Sequence, residues 1–369
     1  MKHRISTHIP ALFLAGLMPL HALAGEPGQN DEGGYSLESA AEYTRQLEQD
    51  HRHHDHHNHH GSHGRPAGHA DHDGVHFSLN IMQGEMRGSK IGQDDVSDAQ
   101  ILSVANGNGG MFNQLRLVPQ EMTTTKYMFG AMTRLSGGSH VMLMVPYVEK
   151  EMKLRTYNGG GVHIGNFTTN TSGIGDAAIS LAKPLSNANA GNWVMGAKLS
   201  IPTGSIKEKD QVYAPTGMWM QARLPYAMQI GTGTLDITPS LQGEFDAGDW
   251  KVLTGFSFTA RLGRNSEGYT HGDEVNLSLG VARTFDDIKT GLRLDLKSAG
   301  RISGKDELIS APVQSAQTGF YGGQRASLTA DVKIGRTFGA FVTIPVHEDL
   351  NGPQMSLDNM IGISAKFSL

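Results

Sequence analysis

The stretch Leu292-Arg293-Leu294-Asp295-Leu296-Lys297 puts a leucine at every second position and a charge at each position between. A strand sends successive side chains to opposite faces, so this run builds a sheet with one leucine face and one charged face. The pattern recurs outward in both directions. Toward the C-terminus, Leu328, Ala330, Val332 and Ile334 alternate with Ser327, Thr329, Asp331 and Lys333. Toward the N-terminus, Val252, Thr254, Phe256, Phe258 and Leu262 alternate with Gly255, Ser257, Thr259 and Arg261. Earlier still, Trp193, Met195, Ala197, Leu199 and Ile201 alternate with Asn192, Val194, Gly196, Lys198 and Ser200. Tyr127, Phe129, Ala131 and Leu135 oppose Lys126, Met128, Met132 and Arg134, and Phe77, Leu79 and Ile81 oppose His76, Ser78, Asn80 and Met82. The last residues, Ile361, Ile363, Ala365, Phe367 and Leu369, keep the period to the end.

In a soluble sandwich the apolar faces would meet each other. Sheets whose second face is charged fit better as a closed barrel in lipid, with acyl chains outside and water within. Closure also pairs every strand edge, which hydrocarbon demands. The expected fold is therefore all-β, a transmembrane antiparallel up-and-down barrel of about twelve strands over residues 77–369. Short turns are expected near 136–139, 186–191, 246–249, 285–288 and 335–337. Long loops are expected near 88–121, 156–173, 203–231, 263–273, 303–322 and 347–357. The two classes alternate, which puts both barrel termini on the short-turn, periplasmic side.

Composition agrees. Of 369 residues 38% are hydrophobic and 18% charged, with 47 Gly and no Cys. Thiolate metal sites, disulfides and cysteine nucleophiles are excluded. A balance of 31 basic to 36 acidic residues without a basic run argues against a nucleic-acid partner. No G-x-S-x-G elbow or H-E-x-x-H helix is present, so the expectation is a non-enzyme.

Residues 1–24 read as a signal peptide. Lys2 and Arg4 precede an apolar stretch from Ile9 to Leu23, and Ala22-Leu23-Ala24 offers a small-x-small cleavage site. Residues 25–50 read as a linker with a short periplasmic helix capped by Ser36, with Leu37, Ala40, Ala41, Thr44 and Leu47 on one face. Residues 51–76 form a histidine-rich segment, part of a disordered periplasmic extension. Its imidazoles, His51, His53, His54, His56, His57, His59, His60, His63, His69, His72 and His76, can ligate Cu, Zn or Ni. No cofactor is required. Incidental metal binding by a solvated tail is the plainer alternative.

Several stretches resemble a known family. Gly173-Ile-Gly-Asp176, Ile201-Pro-Thr-Gly-Ser205, Pro225-Tyr-Ala-Met-Gln-Ile-Gly-Thr-Gly-Thr-Leu-Asp236 and Asp349-Leu-Asn-Gly-Pro-Gln354 are similar to the transporter-like barrels of the MetA pathway of phenol degradation. The stretch Met132 to Lys150 is similar too. The resemblance implies an outer-membrane barrel of Gram-negative bacteria that moves a small solute, and it supplies no catalytic residues.

Strand parity places Met82, Met86, Met128, Met132, Met142 and Met144 on the inner wall near His76 and His140. Thioether sulfur suits Cu(I), so a Met-lined lumen beside a histidine-rich tail makes copper or zinc handling one reading. Methionine also fills irregular gaps and tolerates apolar solutes, so passage of small aromatic or hydrophobic molecules is the second. Lys126, Arg134, Lys198, Asp236, Glu244, Arg261, Arg293, Asp295, Arg325 and Lys333 should line the lumen or pair across it. Cross-lumen pairing would make a third kind of molecule, a filled, non-conducting barrel with a binding or structural role. Outer-membrane lipid and a small solute or metal ion are the expected partners. His163, His271 and His347 fall in loops, where water is the default surrounding.

Overall fold

The computed structural model describes residues 74–107, 111–135, 137–185, 191–304 and 311–368. The signal peptide, the linker helix and all the tail histidines except His76 lie outside the described residues. In chain order the strands are β1 (His76–Gly92), β2 (Asp94–Asp95), β3 (Leu117–Arg134), β4 (His140–Tyr157), β5 (His163–Ile174), β6 (Ala177–Leu185), β7 (Asn192–Ile201), β8 (Lys209–Tyr213) and β9 (Trp219–Arg223). They continue as β10 (Leu235–Ala247), β11 (Trp250–Leu262), β12 (Tyr269–Thr270), β13 (Glu274–Phe285), β14 (Ile288–Ala299), β15 (Ser303–Gly304), β16 (Gly323–Ile334) and β17 (Phe338–Ser368).

Eleven of these, β1, β3, β4, β6, β7, β10, β11, β13, β14, β16 and β17, hydrogen-bond in sequence order, each antiparallel to the next. β17 pairs back onto β1 and closes the ring. Two more join the same sheet: β2 extends β1, and β5 continues the line of β6 along the far half of β4. β17 has 31 residues. Its first part pairs with β16 as far as Leu350, and its second part, from Leu350 on, pairs with β1. The Lys366 N–H donates to the Thr337 carbonyl at 2.9 Å, so β17 folds back on itself. The chain therefore crosses the wall twelve times, as the alternation predicts.

The strand ends at Arg134 and His140, Leu185 and Asn192, Ala247 and Trp250, Phe285 and Ile288, and Ile334 and Phe338 all lie at one end, where His76 pairs with Ser368 and Met132. This is the turn end; the long connections emerge at the loop end. Two expected loops are strand instead. Residues 163–174 form β5, where buried Phe167, Thr169 and Thr171 alternate with exposed Asn166, Thr168 and Asn170. That period of two is written almost wholly in polar residues, so hydropathy does not mark it. Residues 347–357 lie within β17.

The outer surface carries the apolar partner of each alternation, including Phe129, Leu143, Leu199, Phe256, Leu279 and Ile363, all exposed. A belt of this kind around a closed barrel is the face that lipid covers. The interior holds two apolar clusters, one of methionines toward the turn end and one rich in tyrosines at the loop end. Two inward glycines seat bulky neighbours: a Cβ on Gly130 would meet the Met142 Cε, and one on Gly362 would run into the Phe341 ring.

Candidate functional site

Met82 on β1, Met128 and Met132 on β3, and Met142 and Met144 on β4 form one buried cluster with Ala178, Ala182 and Val194. Phe341 and Met360 of β17 pack against it. Five of the six expected wall methionines thus come together. Met86 shares their parity but lies a turn of pleat further up β1, where it packs against the loop-end cluster. His140 is buried and faces Arg134 across the β3–β4 ladder, while His76 begins β1 opposite Met132. Among the described residues, no three His, Asp or Glu side chains converge to hold a metal. The methionines pack against one another and small apolar residues, which favours the packing and apolar-solute reading of this wall over the copper one.

The charges lie inside, and several of their ion pairs run sideways along the wall, between neighbouring strands or within one. Arg261 of β11 bonds Asp236 of β10 through Nη1 and Glu274 of β13 through Nη2, the latter at 2.8 Å. Glu274 in turn pairs with Lys297 of β14 at 3.1 Å. Arg293 grips Asp295 two residues along β14 at 2.8 and 2.9 Å, Lys251 pairs with Glu244, and Arg325 pairs with Glu348. Neighbouring strands hold such partners about 5 Å apart, whereas opposite walls of a barrel this size are out of side-chain reach. These pairs lie along the wall, as the lumen-lining arrangement expected of the charges requires. Lys198 is buried on the same inner face, in register with Ser180 and Thr238.

The loop end is filled by inward-folded connections. The 225–234 segment, carrying a short helical turn at Tyr226–Met228, passes inside the wall. Lys150 Nζ donates to the carbonyls of Ala227 at 2.9 Å and Gln229 at 2.6 Å, and Thr171 Oγ1 donates to that of Met228 at 2.9 Å. Tyr226, Met228, Tyr269, Val313 and Tyr321 then build a fully buried cluster with Leu117, Met152 and Phe167.

Three of the four stretches that carry the family resemblance meet here. Asp176 is buried between β5 and β6 and accepts from the Gly204 N–H at 2.9 Å, the Thr232 N–H at 2.8 Å and the Thr232 Oγ1 at 2.8 Å. The Ser205 carbonyl accepts from the Ile230 and Gly231 amides. A Cβ on Gly231 would stand 2.6 Å from Asp176 Oδ1, so glycine is what lets the backbones come this close. The fourth stretch holds the last loop: Gln354 Nε2 donates to the Phe320 and Gly322 carbonyls, and Asn351 Nδ2 to that of Tyr321. These motifs are thus joints between loops. Sequence alone assigns them no role, because a lone Asp or Gly carries no sign of its partners.

Of the three histidines expected in or beside loops, His163 opens β5 and His347 lies within β17, and both are exposed. His271 is not: it is 8% exposed, beside the Tyr269 and Tyr226 rings. Burial, reinforced by the Arg261 and Lys150 cations, pushes its pKa down to about 3 and keeps the ring neutral.

Toward the turn end lies a cavity of about 140 Å³. Its lining includes Met82, Phe341, Lys289, Lys333 and Lys366. Phe341, Lys289 and Lys366 escaped the sequence reading because they sit at strand ends, where alternation is short and its parity hard to fix.

No family model matches the sequence, and no curated protein does. Among solved structures the chain is similar to an outer membrane channel from Pseudomonas putida F1, with TM-score 0.48 and 11% identity over 83% of this chain and 100% of that one. It is similar to the P. putida toluene transporter TodX, with TM-score 0.41 and 11% identity over 80% of this chain and 90% of that one. It is also similar to the beta domain of the Bordetella autotransporter BrkA, with TM-score 0.43 and 11% identity over 80% of this chain and 100% of that one.

Proposed function

We propose that this chain is an outer-membrane channel for small hydrophobic or aromatic solutes, with its turn end facing the periplasm. The observation that carries this reading is the partly open cavity of about 140 Å³ whose lining includes Met82 and Phe341. A space of this size accepts one benzene-sized ring. Methionine sulfur and aromatic edges attract such a ring without fixing its orientation, which suits passage better than tight binding. The resemblance of the four loop-joining stretches to transporter-like barrels of the phenol-degradation MetA pathway points the same way. The histidine-rich segment precedes β1 in the chain and lies outside the described residues but for His76, and in this reading Cu, Zn or Ni collection is its separate property.

The test is uptake of benzyl alcohol into liposomes carrying the full mature protein. Uptake should exceed that of protein-free vesicles, and should persist when Met128, Met132, Met142 and Met144 are all changed to Leu, because Leu keeps the wall apolar. It should also persist when residues 25–75 are deleted. Uptake no faster than through bare lipid in all three proteins would make this a filled, structural barrel.

A further inference from the structure

Arg283 stands on the lipid-facing side of the wall. It continues the outward parity of Leu279 and Val281 on β13, with Ala282 buried between, and its cross-strand partner is the exposed Trp250 of β11. The guanidinium carbon lies 5.5 Å from the centre of the Trp250 ring and 4.8 Å from that of Phe285, within cation–π reach of both. Phe285 closes β13 at the turn end and heads a cross-strand row of Ile288, Ile334 and Phe338, all exposed. Aromatic side chains at the edge of a barrel's apolar band mark the level where acyl chains give way to headgroups, and a charge is tolerated there. Arg283 Nη2 donates to Asp249 Oδ2 at 2.9 Å, and Asp249 is an exposed residue of the β10–β11 turn. The β13–β14 turn adds Asp286 and Asp287, both exposed. An exposed ion pair contributes little to stability, so folding alone does not account for this one.

The geometry points to a site for one phospholipid whose headgroup carries both a phosphate and a primary ammonium, as phosphatidylethanolamine does. The positive and negative poles of the Arg283–Asp249 pair match those of the headgroup: phosphate to guanidinium, ammonium to carboxylate. The Asp249 bond engages Nη2, and a guanidinium has five N–H donors, so phosphate bonds add to the pair rather than break it. Trp250 and Phe285 pack the glycerol end of the same lipid, where amphipathic rings are at home. A headgroup with phosphate alone meets Asp249, Asp286 and Asp287 and is repelled. A quaternary ammonium has no N–H to give Asp249. With the turn end toward the periplasm, as proposed above, the patch lies in the phospholipid leaflet of the outer membrane. The identity of the solute in the lumen does not enter.

The experiment is native mass spectrometry of the full mature protein, released from detergent micelles holding equal amounts of phosphatidylethanolamine, phosphatidylcholine and phosphatidylglycerol with identical acyl chains. Phosphatidylethanolamine should be retained roughly 5-fold better than either of the others, the size expected for one hydrogen bond to a charged group. R283Q should lower its retention by a similar factor. D249N should remove most of the preference for phosphatidylethanolamine over phosphatidylcholine while phosphatidylcholine is retained as before. Misfolding cannot imitate that switch, because it would strip every lipid alike. Equal retention of the three lipids by the unaltered protein, retention unchanged in R283Q, or a preference unchanged in D249N overturns the site. A dimer that disappears in R283Q while lipid retention holds would make the patch an interface between copies, which also overturns it.

Discussion

Asp176 makes the most consequential contacts of any single side chain at the loop end. It is 2% exposed and accepts three hydrogen bonds from two different loops. Asp176→Asn keeps the shape but replaces a charged acceptor and turns one oxygen into a donor facing donors, a change worth about 2–4 kcal/mol. The 203–234 segment should then become protease-sensitive while the barrel keeps its heat-dependent gel migration; a segment as resistant as before would deny Asp176 this role. His271 gives a residue-scale effect of pH. Its imidazole stays neutral in the folded protein down to about pH 3 but takes a proton near 6.5 once exposed. The depressed value means that its contribution is complete above pH 6.5 and drains away as pH falls from there toward 3. Amide protection factors at Tyr269–His271, corrected for the intrinsic pH dependence of exchange, should fall over that window, and His271→Phe should remove the fall.

At the scale of elements, the strands were legible wherever alternation pitted leucine against charge, as in Leu292–Lys297. β5 was not, because beyond Phe167 its inward residues are threonines and its outward ones asparagine and threonine, and both types read as loop. Nor could the sequence show that the connection from 203 to 231 turns inward, since that depends on Lys150 and Thr171, far away in the chain, offering donors to its carbonyls. The inner methionines followed from parity alone, and only the height of Met86 along its strand escaped. Packing between elements is tightest where an inward glycine faces a large side chain. A methyl group on Gly362 would lie 2.2 Å from the Phe341 Cε1. Gly362→Ala should therefore destabilise the β17 hairpin and its seam with β1 by about 1–3 kcal/mol. Phe341→Leu added to Gly362→Ala should recover most of the loss in thermal denaturation monitored by β-sheet circular dichroism. No recovery would place the strain elsewhere.

For the whole molecule, the ladder of ion pairs and the loop-end cluster divide the labour. The ladder neutralises the middle of the lumen, strand to neighbouring strand, without bridging it. The obstruction lies at the loop end, where Tyr226, Tyr269 and Tyr321 stack edge to face with ring centres 4.6 and 5.5 Å apart. Because Asp176 ties the 202–205 and 230–232 backbones at one point, releasing either frees the other. Current through a single reconstituted barrel should accordingly jump between shut and fully conducting levels, whereas a staircase of intermediate steps would mean that each connection swings aside independently.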